Sequence, residues 1–277
     1  MKYTLRERSE LTQRIVAALV GVSIIIGAIF WSEWSYFAIF FFICTFAMLE
    51  FYKLLGLDGN LPLKTFGTFN GLLVYTLTFL VERGTIPSKY YILIFMGLSG
   101  VYFVKLYRKK DAKPFVGIAL TFLGIVYIAV PMAMLNIFVF FDGHYHGGII
   151  LGSLFILWAN DTGAYFSGKN FGKRKLFERI SPKKTWEGSL GGGVLAVGMG
   201  ILFSHFYDSL SLYQWVIVAV IVTVTGTYGD LIESLFKRSI MIKDSGNAIP
   251  GHGGFLDRFD GLFIAAPVLA VYLKLFS

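Results

Sequence analysis

Residues 115–139 read FVGIALTFLGIVYIAVPMAMLNIFV, a run without one charged side chain. Its length matches the roughly 20 apolar residues that a helix needs to cross a bilayer. Its apolar residues are continuous, whereas a membrane-barrel strand alternates apolar and polar positions. Working outward, apolar stretches of the same kind recur over 15–31, 35–54, 66–81, 90–106, 147–167, 188–207, 212–236 and 259–276. The expected fold is therefore an all-α integral membrane protein with about nine transmembrane helices. Composition agrees, because 56% hydrophobic residues, 17% aromatic residues and a mean hydropathy of +0.67 lie far outside the soluble range. The 277 residues leave room for these spans and short connections only. Residues 1–277 are expected to form a single polytopic membrane domain, with amino-terminal helices in 1–140 and the chemistry in 147–277.

The first stretch follows a basic tail (Lys2, Arg6, Arg8, Arg14), as a signal peptide would, but no small-residue cleavage site follows Val16 to Trp31, and a retained first span is expected. Placing the amino terminus inside and alternating sides puts 22 of the 25 Lys and Arg residues on one face. Arg83, Lys89 and Lys274 remain on the other. That asymmetry is the one the positive-inside rule expects, so the amino terminus is read as cytoplasmic and the chain as a cell-membrane protein. The net charge of +8 calls for no nucleic acid, since a basic cytoplasmic face sits beside anionic lipid. The lone Cys44 excludes a disulfide framework and a cysteine zinc site. Glycines at 188, 191–193, 198 and 200 suit close helix packing, either within one subunit or in a homodimer.

Ionisable groups within spans are costly, so their clustering points to function. Asp161 falls in the sixth span, Asp230 and Glu233 in the eighth, and Asp257, Arg258 and Asp260 at the start of the ninth, all toward the inside ends; Glu50 is a further acid near the inner end of the second. Two inside connections carry the remaining polar chemistry. The first contains Ser167-Gly-Lys-Asn-Phe-Gly-Lys-Arg-Lys and then Ile180-Ser-Pro-Lys-Lys-Thr-Trp-Glu-Gly188. Its lysines suit phosphate, although a basic juxtamembrane loop also suits anionic lipid. The second runs from Ser234 to Asp260 and combines Lys237, Arg238 and Lys243 with Asp244, a Gly-His-Gly-Gly turn at 251–254, and Asp257, Arg258 and Asp260. Cations for phosphate, hard oxygen ligands for a divalent ion and a glycine turn with free N–H groups together suit a magnesium nucleotide. The alternative is an interhelical salt-bridge network of Asp257, Arg258 and Asp260 with Lys237 and Arg238.

The 234–260 segment resembles the signature of the phosphatidate cytidylyltransferase (CDP-diacylglycerol synthase) family, matching it at Ser234, Lys237, Arg238, Lys243, Asp244, Pro250, His252, Gly253, Gly254, Asp257, Arg258 and Asp260. Asp161-Thr-Gly-Ala-Tyr-Phe-Ser-Gly168 and 180–188 are also similar to that family, so the likeness covers about the last 120 residues. The amino-terminal half resembles it in hydropathy alone. The resemblance implies a magnesium-dependent reaction of CTP with phosphatidate that yields CDP-diacylglycerol and pyrophosphate in phospholipid synthesis. It also implies metal ligation by Asp230, Asp257 and Asp260, with Asp230, Asp257 and Lys243 catalytic. Substrate contacts would come from Asp161, Ser181, Lys183, Lys184, Lys237, Arg238, His252, Gly253, Gly254 and Arg258. His252 suits a hydrogen-bond or turn role, because a lipid phosphate needs little general base. His144 and His146 precede another Gly-Gly but are expected on the opposite face. An ion- or proton-coupled transporter, a CTP-dependent lipid kinase and an isoprenoid-lipid cytidylyltransferase are the competing readings.

Overall fold

The computed structural model describes residues 5–57, 59, 61–109, 111–242, 245–246 and 253–276, with side chains from Val16 onward. It is a helical membrane protein: nine long helices follow one another among the described residues. They are α1 (Leu5–Trp31), α2 (Glu33–Leu57), α3 (Lys64–Glu82), α4 (Ile92–Leu106), α5 (Pro114–Val139), α6 (Gly147–Phe171), α7 (Trp186–Ser204), α8 (Leu212–Ser239) and α9 (Leu256–Phe276). Seven are long and apolar enough to cross a membrane; the described apolar part of α1, Val16–Trp31, is shorter, and α3 is not among the seven. Helix α3 can be more polar because its neighbours cover it: Asn70 is 2% exposed and donates to the Phe66 carbonyl, and Thr78 donates to the Val74 carbonyl.

Local chemistry sets the helix ends. Ser32 and Ser35 exchange backbone-to-hydroxyl hydrogen bonds of 2.9 and 3.1 Å, which lets α2 start with Ser32 alone between it and α1. Ser211 and Gln214 form a full capping box on α8. Within α5, Ile125–Ala129 is a π-helical turn. It precedes Pro131, whose missing N–H and bulky ring would otherwise clash one turn back, and the widened turn takes up that misfit.

Contacts at the helix ends tie neighbouring connections together at each end of the bundle. At one end, Lys105 pairs with Asp111 and reaches the Leu61 carbonyl, tying α4–α5 to α2–α3. The Lys105 ammonium holds the Asp111 carboxyl below the usual carboxylate range. At the other end, Arg83 pairs with Glu33 at 2.6 Å, Lys274 with Glu82 at 3.4 Å, and the Tyr145 hydroxyl donates to the Ile29 carbonyl. His144 and His146 lie at this second end, where His146 bridges Asp142 at 2.8 Å and Ser209 at 3.1 Å. The nine helices thus alternate in direction. One continuous apolar core runs from Ile29 to Leu273, and Cys44 is fully buried in it.

The structure adds one element that continuous hydropathy does not signal, a two-stranded antiparallel hairpin of β1 (Lys175–Phe177) and β2 (Ser181–Thr185). It links α6 to α7. Glycines 188, 191 and 192 press on residues 160–168 of α6, and a Cβ at Gly163 would stand 2.9 Å from the Gly191 carbonyl oxygen. Gly193 and Gly200 face Thr223 and Trp215 of α8. These five glycines therefore serve packing within the chain, while Gly198 has open space around it.

Candidate active site

Helix α8 places Asp230, Glu233, Ser234 and Lys237 along one stripe, at spacings of three, four and seven residues. Ser234 donates to Asp230 at 3.3 Å, and Lys237 donates to Glu233 at 2.9 Å. Helix α9 closes on this stripe because the contact is made of glycine. A Cβ at Gly229 would lie 2.6 Å from the Asp260 carbonyl oxygen, and one at Gly261 would lie 3.3 Å from Gly226 Cα. The crossing brings one carboxylate oxygen each of Asp230, Glu233 and Asp260 within 4.8 Å of one another. Glu233 is 1% exposed, and its Oε1 is buried without a hydrogen-bond partner among the described residues.

The hairpin supplies the opposite wall. Its root is held by Glu187, which accepts from the backbone N–H groups of Lys173 at 3.0 Å and Arg174 at 3.1 Å, and Thr185 caps α7 by accepting from Gly188. From this base Lys184 crosses to α8, pairing with Asp230 at 2.6 Å and donating to the Thr227 carbonyl at 3.2 Å. A cleft of about 420 Å³ opens between hairpin, α6 and α8. Charged residues on its walls are Asp161, Lys169, Lys183, Lys184 and Asp230; neutral polar ones are Asn160, Tyr165, Thr185, Ser189 and Thr227. Asp230 belongs both to the cleft and to the three-acid cluster.

The segment leading into α9 is organised around Asp257. Its Oδ1 takes the Lys237 ammonium at 2.8 Å; its Oδ2 accepts from Gly254 N at 3.2 Å and Ser245 N at 3.4 Å. Gly253 turns with φ +82°, a conformation that a side chain would disfavour. The interhelical ion pair weighed as the plainer reading of the sequence therefore exists for Asp257 and Lys237. Lys237 bridges two acids rather than lining the cleft. Gly253, Gly254, Ser181, Arg238 and Arg258 are likewise outside the cleft lining, with both arginines exposed. Lys243, Asp244, Pro250 and His252 lie outside the described residues.

The donor set suits a divalent cation. Asp230, Glu233 and Asp260 gather three carboxylates where α8 and α9 cross, and among the described residues the buried Oε1 of Glu233 has no hydrogen-bond partner. Hard oxygen donors gathered in this way favour a hard cation. The sequence marks Glu233 as an ionisable residue within a span but gives it no ligand role, and it does not single out Asn160, Thr227 or Ser189. The place of Glu233 three residues after Asp230 within a span is the signal for such a role. The neutral cleft residues carry no such signal.

Known proteins supply an independent comparison. The sequence profile of the cytidylyltransferase family matches residues 12–276. A phosphatidate cytidylyltransferase of Haemophilus influenzae is 45% identical over 134 residues, 46% of this chain and 46% of that protein. One from Pseudomonas aeruginosa is 32% identical over 267 residues, 95% of this chain and 97% of that protein. One from Staphylococcus haemolyticus is 30% identical over 230 residues, covering 82% and 86% respectively. The matched stretch thus spans about half the length of the first relative and nearly all of the second.

Proposed function

The chain belongs to the cytidylyltransferase family, and from that premise we propose that it is a phosphatidate cytidylyltransferase, joining CTP and phosphatidate into CDP-diacylglycerol with release of pyrophosphate. The observation that carries the reading is the cleft in which Lys183 and Lys184 face Asp161 and Asp230, beside the cluster that Asp230 forms with Glu233 and Asp260. Cations for phosphate and acids for a cation meet there within a membrane protein, where a lipid phosphate can reach them.

A phosphatidate oxygen attacks the α-phosphorus of CTP, forming a new P–O bond as the α–β anhydride breaks and pyrophosphate leaves. The nucleophile is already an anion, so no covalent enzyme intermediate is required. Lys183 and Lys184 orient phosphate oxygens, and Lys184, anchored to the Thr227 carbonyl and Asp230, is the better fixed of the two. Asp230 and Asp260, with Glu233 in reach, would hold magnesium, which would supply neutralisation of triphosphate charge. Asp257 keeps Lys237 and the segment before α9 in place, so its part is reached through Lys237. Gathering of these acids at one end of the bundle favours the enzyme over a carrier, whose coupling groups belong near the bilayer midplane.

The test is incubation of purified protein with magnesium, phosphatidate and base-labelled CTP. Label is expected in the lipid phase. Base left in water while the lipid gains phosphate would identify a CTP-dependent kinase, and a labelled product formed only from an isoprenoid phosphate would replace the lipid substrate.

The site is assigned to the cytoplasmic side on the strength of the 22 to 3 charge split. In a Cys44→Ala background, cysteines at Lys175 and Arg238 are expected to react with an impermeant maleimide from the cytoplasmic side, and one at His144 from the other. Labelling of Lys175→Cys and His144→Cys from one side would overturn the orientation.

A further inference from the structure

We infer that Glu50, near the inner end of α2, is a positioning residue of the active site, holding the backbone that enters α9 and through it setting Asp257 and Lys237. The inference rests on the site reading above. It assigns to the amino-terminal half, where the family likeness is least visible in sequence, a direct part in the geometry of the carboxyl-terminal site.

Glu50 Oε2 accepts from the Phe255 backbone N–H at 2.8 Å across 205 positions of sequence. One turn earlier on α2, Phe46 stacks on the Phe255 ring, with centroids 5.1 Å apart and planes at 16°. Gly246 and Gly254 lie against the same carboxylate: a Cβ at Gly246 would stand 3.1 Å from Glu50 Oε1, and one at Gly254 would overlap that oxygen. On the other side of this backbone, Asp257 Oδ2 accepts from Gly254 and Ser245. Gly254 is thus gripped between a carboxylate from α2 and one from α9, and only a residue without Cβ fits. From Asp257 the contacts continue through Lys237 to Glu233, and so to the cluster with Asp230 and Asp260. Misplacement of such a chain by about 1 Å is enough to cost on the order of 100-fold in rate.

The required chemistry is an acceptor for the Phe255 N–H, not a charge. A glutamine carbonyl supplies that acceptor. Its amide would also face Ser245 Oγ, which, like Glu50 Oε1, is buried without a hydrogen-bond partner among the described residues and presses on Gly254. Glu50→Gln is therefore expected to keep most of the activity. Glu50→Ala is expected to lower kcat about 100-fold with KM for CTP little changed.

A second readout needs no turnover. Ser245 is 4% exposed, so Ser245→Cys in a Cys44→Ala background should react slowly with a water-soluble maleimide. Adding Glu50→Ala should raise that rate at least several-fold, while adding Glu50→Gln should not. Glu50→Asp, which keeps the charge but withdraws it by one methylene, should fall between the two in both measurements, and it decides the matter should the alanine variant not fold. Labelling as slow in Glu50→Ala or Glu50→Asp as in the parent would overturn the inference. So would a Glu50→Gln enzyme as inactive as Glu50→Ala with unchanged labelling, because Glu50 would then act through its charge. A parent protein that transfers no cytidylyl group would sink the proposed function, while the labelling series would still judge the clamp.

Discussion

Asp230→Asn and Asp260→Asn are each expected to abolish cytidylyl transfer, by ~1000-fold on the scale of removing a group that stabilises transition-state charge, while the helix bundle stays folded. Both changes keep size and shape and delete one ligand charge. Asp230 is the residue shared by the cleft and the three-acid cluster, so its loss reaches both. Little stability is at stake there. The Asp230 side chain is 48% exposed and pairs with Lys184 at 2.6 Å, an arrangement worth no more than about 1 kcal/mol. Magnesium activation curves measured beside thermal unfolding in detergent are the check. The expected result is a curve displaced to higher magnesium, with partial recovery in excess, and a melting temperature close to that of the parent. A normal magnesium response in both variants would remove these acids from the metal site.

Lys237→Met is expected to behave differently, losing stability as well as activity. The Lys237 side chain is 14% exposed and stands between the carboxylates of Glu233 and Asp257, whose side chains are 2% and 13% exposed. Removing the shared cation leaves two largely buried carboxylates facing each other without compensation, at a cost of roughly 3–5 kcal/mol. For a chain of this size that corresponds to a fall in melting temperature of about 10 °C. The double change Lys237→Met, Glu233→Gln removes one stranded charge and should recover part of the melting temperature. A Lys237→Met protein that melts like the parent yet binds CTP poorly would instead make Lys237 a phosphate ligand facing the cleft. The two experiments thereby separate a residue that works on substrate from one that holds the acids apart.

Much of the architecture is legible in the chain alone. A bilayer accepts only helices or closed barrels, and a stretch such as 115–139 has the length and continuity of the former, so the helices follow from local composition. Even so, their ends shift: α6 runs on to Phe171, α7 begins at Trp186 and α9 at Leu256, because caps such as Thr185, not hydropathy, decide where a helix starts. The hairpin of β1 and β2 escapes hydropathy altogether, since its polar strands are held by Glu187 and by backbone pairing rather than by an apolar face.

The acids of the site were visible for the same reason as the spans: a carboxylate inside an apolar helix is costly wherever it lies, and Asp161, Asp230, Asp257 and Asp260 stand out without any partner being known. Which of them meet is a different kind of fact. The grouping of Asp230 with Glu233 and Asp260 depends on α8 and α9 crossing at Gly226, Gly229 and Gly261, and the turning of Asp257 toward Lys237 depends on backbone N–H groups of Ser245 and Gly254. Glu50 reaches Phe255 across 205 positions. Sequence by itself determined the helices, their alternation and the chemical types gathered at one end, because those follow from each segment's own exchange with lipid and water. Only the tertiary structure decided the pairings, because they rest on close approach between segments far apart in the chain, and helix spacing set by a missing Cβ carries no signal in hydropathy or charge.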